Sequence, residues 1–197
     1  MSGMWRNGEP APRERLFFAL MPDQREAFRI SAWAEAGLGA GWNFVRADRQ
    51  HMTLCITNDY ERPPFELHEK LFRAGDMVAA SPVAVELAQL AVGGERAMLR
   101  PRHVNAPLKA LQRAIAEAMV AMGAPMRAGW RFAPHLTLGF AARETTGRAA
   151  QPPRPISAFG WQACEFVLVR SLIGQTRHLI LRRWPLIAAP SPQYELF

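Results

Sequence analysis

The sequence predicts an α+β fold with antiparallel sheets, arranged as two similar lobes. Three observations support this prediction. Segments with the periodicity of strands and segments with the periodicity of helices are mixed along the 197 residues. Two pairs of strand-like segments are separated by short turns that contain glycine, which indicates hairpins. The pattern His-x-Thr-Leu occurs twice, as HMTL at 51–54 and HLTL at 135–138, and each copy lies in a strand-like segment that follows a helical one.

The first half of the chain contains two predicted strands and two predicted helices. Residues 15–20 (RLFFAL) are a short apolar run typical of a buried strand. Pro22 and Asp23 begin a helix that extends to about Gly37, where the segment GLGAG ends the pattern. Residues 43–56 (NFVRADRQHMTLCI) lead into the strand of the first motif, and an apolar stripe over 63–79 predicts the second helix.

The second half begins with a hairpin and a third helix. Residues 82–92 alternate as a strand, with Leu87 and Leu90 on opposite faces, and the turn GGE returns the chain into RAMLRP at 96–101. Asn105 is the expected N-cap of a helix that ends at Gly123. The segment WRFAPHLTLGF (130–140) then forms the second motif strand.

The remaining residues are predicted as a loop, a closing hairpin and two tails. Residues 142–158 are rich in Arg, Pro and Ala, which favours an exposed loop. The segments CEFVLVRSL (164–172) and TRHLILRRWPL (176–186) form the hairpin. We predict flexible tails at 1–14 and 188–197 and one bilobal domain over 15–187.

Composition limits the class of partner and compartment. The net charge of +7 favours an anionic partner such as nucleic acid or a phosphate ester, although the Arg-rich, Lys-poor composition also fits a genome bias. The N-terminal segment lacks the apolar core of a secretory signal, and two isolated cysteines fit a reducing cytosol. We therefore expect a cytoplasmic protein without a membrane partner.

The two motifs have the side chains needed to hydrolyse a phosphodiester. Alternation in a strand places His51, Thr53 and Cys55 on one face, and it places His135 and Thr137 on the corresponding face of the second copy. One imidazole can accept a proton from water while the other donates a proton to the leaving oxygen. The threonine hydroxyls can donate hydrogen bonds to phosphoryl oxygens. This chemistry requires neither a metal nor another cofactor.

Other chemistries have weaker support. Cys55 shares the motif face and is a conceivable nucleophile, but a small packed strand residue is the better interpretation. Neither motif has carboxylates or histidines at zinc-site spacing, although Asp59 and Glu61 follow the first one. The sequence contains no G-x-S-x-G, Walker or G-x-G-x-x-G motif. His68, His103 and His178 lack the repeated context and are interpreted as surface or strand histidines.

Five segments together resemble the 2H phosphoesterases, specifically the LigT/ThpR-like RNA 2′,3′-cyclic phosphodiesterases of the 2′-5′ RNA ligase family. They are RLFFALMPD, FVRADRQHMTL, PHLTL, FVLVRSLIG and LRRWPL, and the resemblance spans about 15–187. It implies a bilobal α+β fold with two pseudo-symmetric antiparallel sheets, outer helices and a central groove. It also implies metal-independent opening of 2′,3′-cyclic phosphate ends of RNA to 2′-phosphates, with reverse RNA ligation in some members.

The resemblance also implies roles for individual residues. The catalytic residues would be His51, Thr53, His135 and Thr137, with His51 as the acid at the ribose O3′ and His135 as the base on water, although a pseudo-symmetric site can run in either direction. Phe140 stands where many members have an arginine, and CITND stands where many have Lys-Phe-Leu-Gly. Arg143, Arg100 and Arg102 are candidates to replace that arginine. The candidate substrate-binding residues are Phe44, Arg100, Arg131 and Arg143.

These departures leave the substrate open between RNA ends and small cyclic nucleotides. Two other functions remain as alternatives. One is a nucleotide- or RNA-binding module that keeps the groove but has little turnover, and the other is a metallohydrolase. The expected oligomeric state is a monomer.

Overall fold

The computed structural model describes residues 13–142 and 151–188. Within these residues, the strands and helices follow the predicted order with two additional strands, the second and the seventh. In chain order the elements are β1 Arg13–Leu20, α1 Gln24–Leu38, β2 Trp42–Phe44, β3 Met52–Ile56, α2 Phe65–Asp76, β4 Val83–Gly93, β5 Arg96–Arg100, α3 Ala106–Ala121, β6 Leu136–Ala141, β7 Arg154–Ala163, β8 Glu165–Ile173 and β9 Arg177–Pro185. A short 3-10 helix, Ala47–Arg49, precedes β3. The predicted tails lie outside the described residues, except for Arg13 and Glu14, which begin β1, and Ala188.

The strands form one antiparallel sheet with the two motif strands at its middle. The order is β7-β4-β5-β6-β3-β1-β8-β9, and β2 also pairs with β6. The two predicted sheets are therefore joined edge to edge into one sheet. The pairing between the motif strands β3 and β6 consists of Met52 opposite Leu136. The α+β class and the antiparallel pairing are confirmed.

The two halves of the sheet repeat one unit. The unit is strand, helix, motif strand, and it occurs as β1-α1-β3 and as β5-α3-β6. Each motif strand pairs antiparallel with the first strand of its own unit. The internal duplication suggested by the two motifs is therefore visible in the connectivity and in the strand pairing.

The helices pack on one face of the sheet and create the main core. Helix α1 begins at its predicted cap, where Asp23 accepts a hydrogen bond from the Glu26 backbone N–H at 2.8 Å. Asn105 caps α3 in the same way. The apolar stripes of the helices are buried against the strands, as expected from their 3.6-residue period. No helix in residues 13–142 or 151–188 has the length and apolar content needed to cross a membrane.

The opposite face of the sheet carries a second, smaller cluster of buried apolar side chains. Its members come from β1, β3 and β8: Phe17, Ala19, Ile56, Val167 and Val169. These residues alternate along their strands with residues of the main core, so β1, β3 and β8 bury side chains on both faces. Two of its members, Phe17 and Ile56, line the groove described below.

Two predictions for the second half were wrong. Residues 154–158 were predicted within a loop, but they begin β7, which pairs with β4 at the sheet edge. Prolines hide this strand from a composition argument, and an edge strand tolerates them. Leu87 and Leu90 were predicted on opposite faces, but both are buried in the core, because the register shifts between Leu87 and Gln89. Residues 143–150 of the predicted loop lie outside the described residues.

Candidate active site

The two motifs meet at a groove on the helix-free face of the sheet, at the junction of β3 and β6. The groove encloses about 500 Å³ and is lined by His51, Thr53 and Thr137. His135 directly precedes Leu136, the residue that pairs with Met52 across the junction. It lies close enough for its positive charge to act on His51. The fold therefore brings together the four residues of the motifs, although 84 positions separate the two copies in the sequence.

Both motif histidines are held in the same way. Nδ1 of His51 lies 2.7 Å from the carbonyl oxygen of Arg49, and Nδ1 of His135 lies 2.8 Å from that of Ala133. A carbonyl oxygen only accepts hydrogen bonds, so each Nδ1 must carry the proton and donate it. When either ring is neutral, its Nε2 is therefore the unprotonated nitrogen. Each motif thus prepares a proton-accepting nitrogen with a fixed ring orientation.

His51 lies in an environment that disfavours its charged form. Its ring stacks on Phe17 with centroids 4.7 Å apart, and it meets the ring of His178 edge-on at 5.1 Å. Burial, together with the nearby charges of His135 and Arg49, lowers the pKa of His51 to about 4, while the hydrogen bond to the Arg49 carbonyl opposes the shift. His51 is therefore neutral at neutral pH.

A β-bulge in each motif strand changes which side chains face the groove. The register of β3 against β1 shifts at Leu54, and that of β6 against β5 shifts at Leu138. Two successive residues then lie on the core side, so Cys55 is buried in the main core. The following residues, Ile56 and Phe140, line the groove. Strict alternation had predicted the opposite for Cys55 and Phe140, because a bulge cannot be seen in one strand alone.

Cys55 is removed from the chemistry of the groove by this bulge. Its Sγ lies 3.6 Å from Nε2 of Gln112 on α3. Burial raises the pKa of the thiol to about 11, although the contact with Gln112 opposes the shift. The reactive thiolate is therefore scarce at neutral pH, which excludes Cys55 as the nucleophile of this groove.

Four further groove residues were not identified from the sequence. His178 lies on β9 opposite Ser171, and both line the groove together with Arg15 and Arg49. The interpretation of His178 as a strand histidine was correct, but its place beside His51 was missed. Its position follows from the pairing of β9 with β8 and of β8 with β1, a long-range register that leaves no local signal.

Three of the four candidate substrate-binding residues lie apart from this cavity. Phe44 packs against the main core and pairs with Gly139. Arg100 lies at the end of β5, opposite Gln89, and Arg131 is exposed in the segment before β6. None of these three lines the groove in the part of the chain that the structure describes. Arg143 lies outside the described residues.

Asp59 connects the groove to the segment that leads into β6. Its carboxylate accepts a hydrogen bond from Nη2 of Arg15 at 3.0 Å and forms a second ion pair with Arg127. The backbone N–H of Arg127 donates to the carbonyl oxygen of Ile56 at 2.9 Å. Asp59 therefore holds the guanidinium of Arg15 from outside the groove, because Arg15 lines the groove and Asp59 does not. Over residues 13–142 and 151–188, no three His, Cys, Asp or Glu side chains are grouped to hold a metal ion.

Known structures with this fold are similar to the chain over most of its length. The E. coli LigT structure complexed with 3′-AMP has a TM-score of 0.71 and 22% identity, and the match covers 88% of this chain and 98% of that one. The Thermus thermophilus protein TT0787 has a TM-score of 0.64 at 20% identity, covering 87% and 97%. The MHV ns2 PDE domain has a TM-score of 0.54 at 14% identity, covering 80% and 99%. No curated protein sequence gave a significant match.

The family model gives the decisive comparison. The model of the 2′-5′ RNA ligase superfamily matches residues 21–173, which include both motifs and three quarters of the chain. The fold, the duplicated unit and the paired motifs all agree with that match, and the resemblance stated from the sequence is confirmed. The chain belongs to the 2′-5′ RNA ligase superfamily, with the LigT-like 2H phosphoesterase fold.

Proposed function

We propose that the protein is an RNA 2′,3′-cyclic phosphodiesterase that acts on RNA ends or small cyclic nucleotides and produces 2′-phosphates without a metal. The observation that carries this proposal is the matched pair of histidines. Each donates its Nδ1 proton to a backbone carbonyl and keeps Nε2 for catalysis. His51 lines the groove with Thr53 and Thr137, and His135 directly precedes the residue that joins β6 to β3 beside it. One such nitrogen can accept a proton from the attacking water, and the other, when protonated, can donate a proton to the leaving oxygen on the opposite side of the phosphorus atom.

The proposed reaction is one displacement at phosphorus. Water attacks the phosphorus and gives a proton to the basic histidine, while the bond between phosphorus and O3′ breaks and the acidic histidine protonates O3′. Thr53 and Thr137 donate hydrogen bonds to the non-bridging oxygens, whose charge increases in the transition state. The products are a 2′-phosphate and a free 3′-hydroxyl. The same displacement with a ribose 5′-hydroxyl in place of water would join two RNA ends through a 2′-5′ phosphodiester.

The state of His51 favours one assignment of the two roles. A base must be unprotonated when the substrate arrives, and His51 is neutral because burial lowers its pKa. We therefore propose His51 as the base on water and His135 as the acid at O3′, the reverse of the assignment that the resemblance implied. A substrate with a nitrophenol leaving group needs no acid. Replacing His135 should therefore reduce its turnover far less than replacing His51.

The ligands of a relative support a nucleotide substrate. E. coli LigT has been crystallised with 3′-AMP, with ATP and with NADP+. The net charge of +7 supports an anionic substrate for this chain as well. A groove of about 500 Å³ is large enough for a nucleotide-sized ligand.

The first test is a hydrolysis assay in the presence of EDTA. The substrates are 2′,3′-cyclic AMP and a short RNA with a 2′,3′-cyclic phosphate end, and the variants are His51→Gln and His135→Gln. Each variant should lose about 10²-fold or more in kcat/KM, the usual contribution of general acid–base catalysis. His68→Gln is the matched control, because His68 is on the solvent side of α2. Activity that requires a metal, or that persists in both variants, would contradict the proposal.

A binding module with little turnover is the second candidate function. It is favoured by Phe140, which is 47% exposed in the groove where an arginine would contact phosphate. This candidate predicts that 2′,3′-cyclic AMP binds in calorimetry but is recovered unchanged after long incubation. Release of adenosine 2′-phosphate at a rate that depends on both histidines would eliminate it.

A further inference from the structure

One wall of the groove has a positive charge that the two-histidine reaction does not use. This wall, which we call the arginine wall, consists of Arg15, Arg49 and His178. The hydroxyls of Ser171 and Thr176 lie on the same side. The scissile phosphate has its own donors, the two motif threonines at the junction of β3 and β6. The arginine wall lies to one side of that junction, toward β8 and β9.

Arg49 is the residue of this wall that lacks a partner. Within residues 13–142 and 151–188, its guanidinium forms no ion pair, and its Nε is buried without a hydrogen-bond acceptor. The neighbouring carboxylate, Asp48, is engaged by Arg46 at 3.1 Å. Burial lowers the pKa of Arg49. A buried N–H of a cation without an acceptor is unfavourable, and an incoming anion would satisfy it.

Arg15 adds a second guanidinium that is only partly neutralised. Asp59 accepts a hydrogen bond from its Nη2, but the same carboxylate also pairs with Arg127. The Nε of Arg15 is buried and has no acceptor among the described residues. One carboxylate therefore serves two arginines, and the wall keeps an excess of positive charge on the groove side.

His178 contributes hydrogen bonding to the wall, because its imidazole is neutral at neutral pH. Burial lowers its pKa to about 4, and the charges of His51, Arg49 and Arg15 act in the same direction, while Asp48 opposes them. An anion between these groups would counteract the repulsion. The wall therefore combines two fixed cations with a neutral imidazole that can gain a proton when an anion binds.

We propose that the arginine wall binds a second phosphate of the substrate, next to the 2′,3′-cyclic phosphate at the two histidines. This proposal rests on the proposed function and makes it more specific. A nucleoside whose only phosphate is the cyclic one would leave the wall unsatisfied. The preferred substrates would carry a second phosphate on the terminal nucleotide, either as a 5′-monophosphate or as the phosphodiester that joins it to the preceding nucleotide of an RNA.

The test compares three substrates that differ in the second phosphate. They are 2′,3′-cyclic AMP, 5′-phosphoadenosine 2′,3′-cyclic phosphate and the dinucleotide ApA with a 2′,3′-cyclic phosphate end. A hydrogen-bonded contact to a charged group is worth about tenfold or more in kcat/KM. We therefore expect that advantage for one or both larger substrates over 2′,3′-cyclic AMP. A gain for the 5′-monophosphate alone identifies a terminal phosphate, and a gain for ApA identifies an RNA backbone.

The variant that tests the wall is Arg49→Ala. It removes the guanidinium but keeps the backbone carbonyl that orients His51. It should remove the advantage of the second phosphate, so that its loss is about tenfold larger on that substrate than on 2′,3′-cyclic AMP. Arg46→Ala is the matched control, because Arg46 is an exposed arginine in the same segment and is paired with Asp48. Equal losses on all substrates, or no loss on any, would overturn the proposal.

A binding measurement separates this proposal from the proposed function. Calorimetry would compare adenosine 2′-monophosphate with adenosine 2′,5′-bisphosphate, and neither ligand requires turnover. The bisphosphate should bind about tenfold more tightly to the wild type, and Arg49→Ala should remove the difference. This result would support the second phosphate site even if no substrate were hydrolysed. Equal affinities would reject it even if hydrolysis were rapid.

Discussion

We predict that acid destabilises the protein through His51 before its carboxylates are protonated. The pKa of His51 is about 4 in the folded protein, against about 6.5 in an unfolded chain. At pH values between about 4 and about 6.5, His51 is protonated in the unfolded state and neutral in the folded state. The free energy of unfolding therefore falls as the pH falls from about 6.5 to about 4, and this contribution is fully present only above that range.

The magnitude follows from the width of that pH range. Each pH unit corresponds to about 1.4 kcal/mol for one proton, so lowering the pH to 5 should remove about 2 kcal/mol through His51. Stopping at pH 5 limits the contribution of carboxylates, most of which titrate below it. Between pH 7 and pH 5, the free energy of unfolding of His51→Gln should therefore fall by about 2 kcal/mol less than that of the wild type.

The assay is urea denaturation at pH 7, 6 and 5, with NMR titration of the His51 ring proton as a direct measurement. His68→Gln is again the control and should keep the pH dependence of the wild type. Added inorganic phosphate should raise the titration midpoint of His51, because an anion in the groove favours its charged form. A His51 midpoint of about 6 or above, or identical pH dependence in His51→Gln and the wild type, would refute the reasoning.

Two other substitutions test packing and phosphate binding. Gly75→Ala should destabilise the protein by about 1–3 kcal/mol in urea denaturation, because a Cβ at this position would overlap the ring of Trp184. Gly37→Ala has nothing within 4 Å of its new Cβ and should stabilise α1 by up to about 1 kcal/mol, so effects of the same sign would contradict this account. Phe140→Arg should lower the KM for 2′,3′-cyclic AMP by about tenfold, because it adds a charged donor to the groove. Phe65→Arg, on an exposed position of α2, should leave KM unchanged, and a similar effect of both arginines would indicate nonspecific attraction.

Local patterns in the sequence were sufficient for most of the elements. Asp23 and Asn105 cap their helices as predicted, because a cap depends on residues within one helical turn. The closing hairpin was also predicted, since its turn and both strands are adjacent in the chain. The paired motifs were sufficient to predict a shared groove, and that groove contains His51, Thr53 and Thr137.

The remaining features depend on partner strands and could not be read from one segment. Cys55 faces the core because β1 leaves Leu54 unpaired, which shifts the register of β3 by one residue. In the same way, Phe140 faces the groove because β5 leaves Leu138 unpaired. The position of His178 beside His51 depends on two successive registers, β9 on β8 and β8 on β1. Such registers couple residues that are far apart in sequence, and no local periodicity records them.

The strand order has a consequence for how the chain folds. The half of the sheet that contains His51 is completed by β8 and β9, which come after every element of the other half. During synthesis, one edge of β1, which contains Phe17 and Phe18, therefore stays unpaired until β8 (Glu165–Ile173) has been made. The other half, β4 to β7, is one continuous stretch of chain that β2 joins, whereas the half with His51 is assembled from both ends of the described chain. The groove should consequently appear in one late step, once the last hairpin closes against β1.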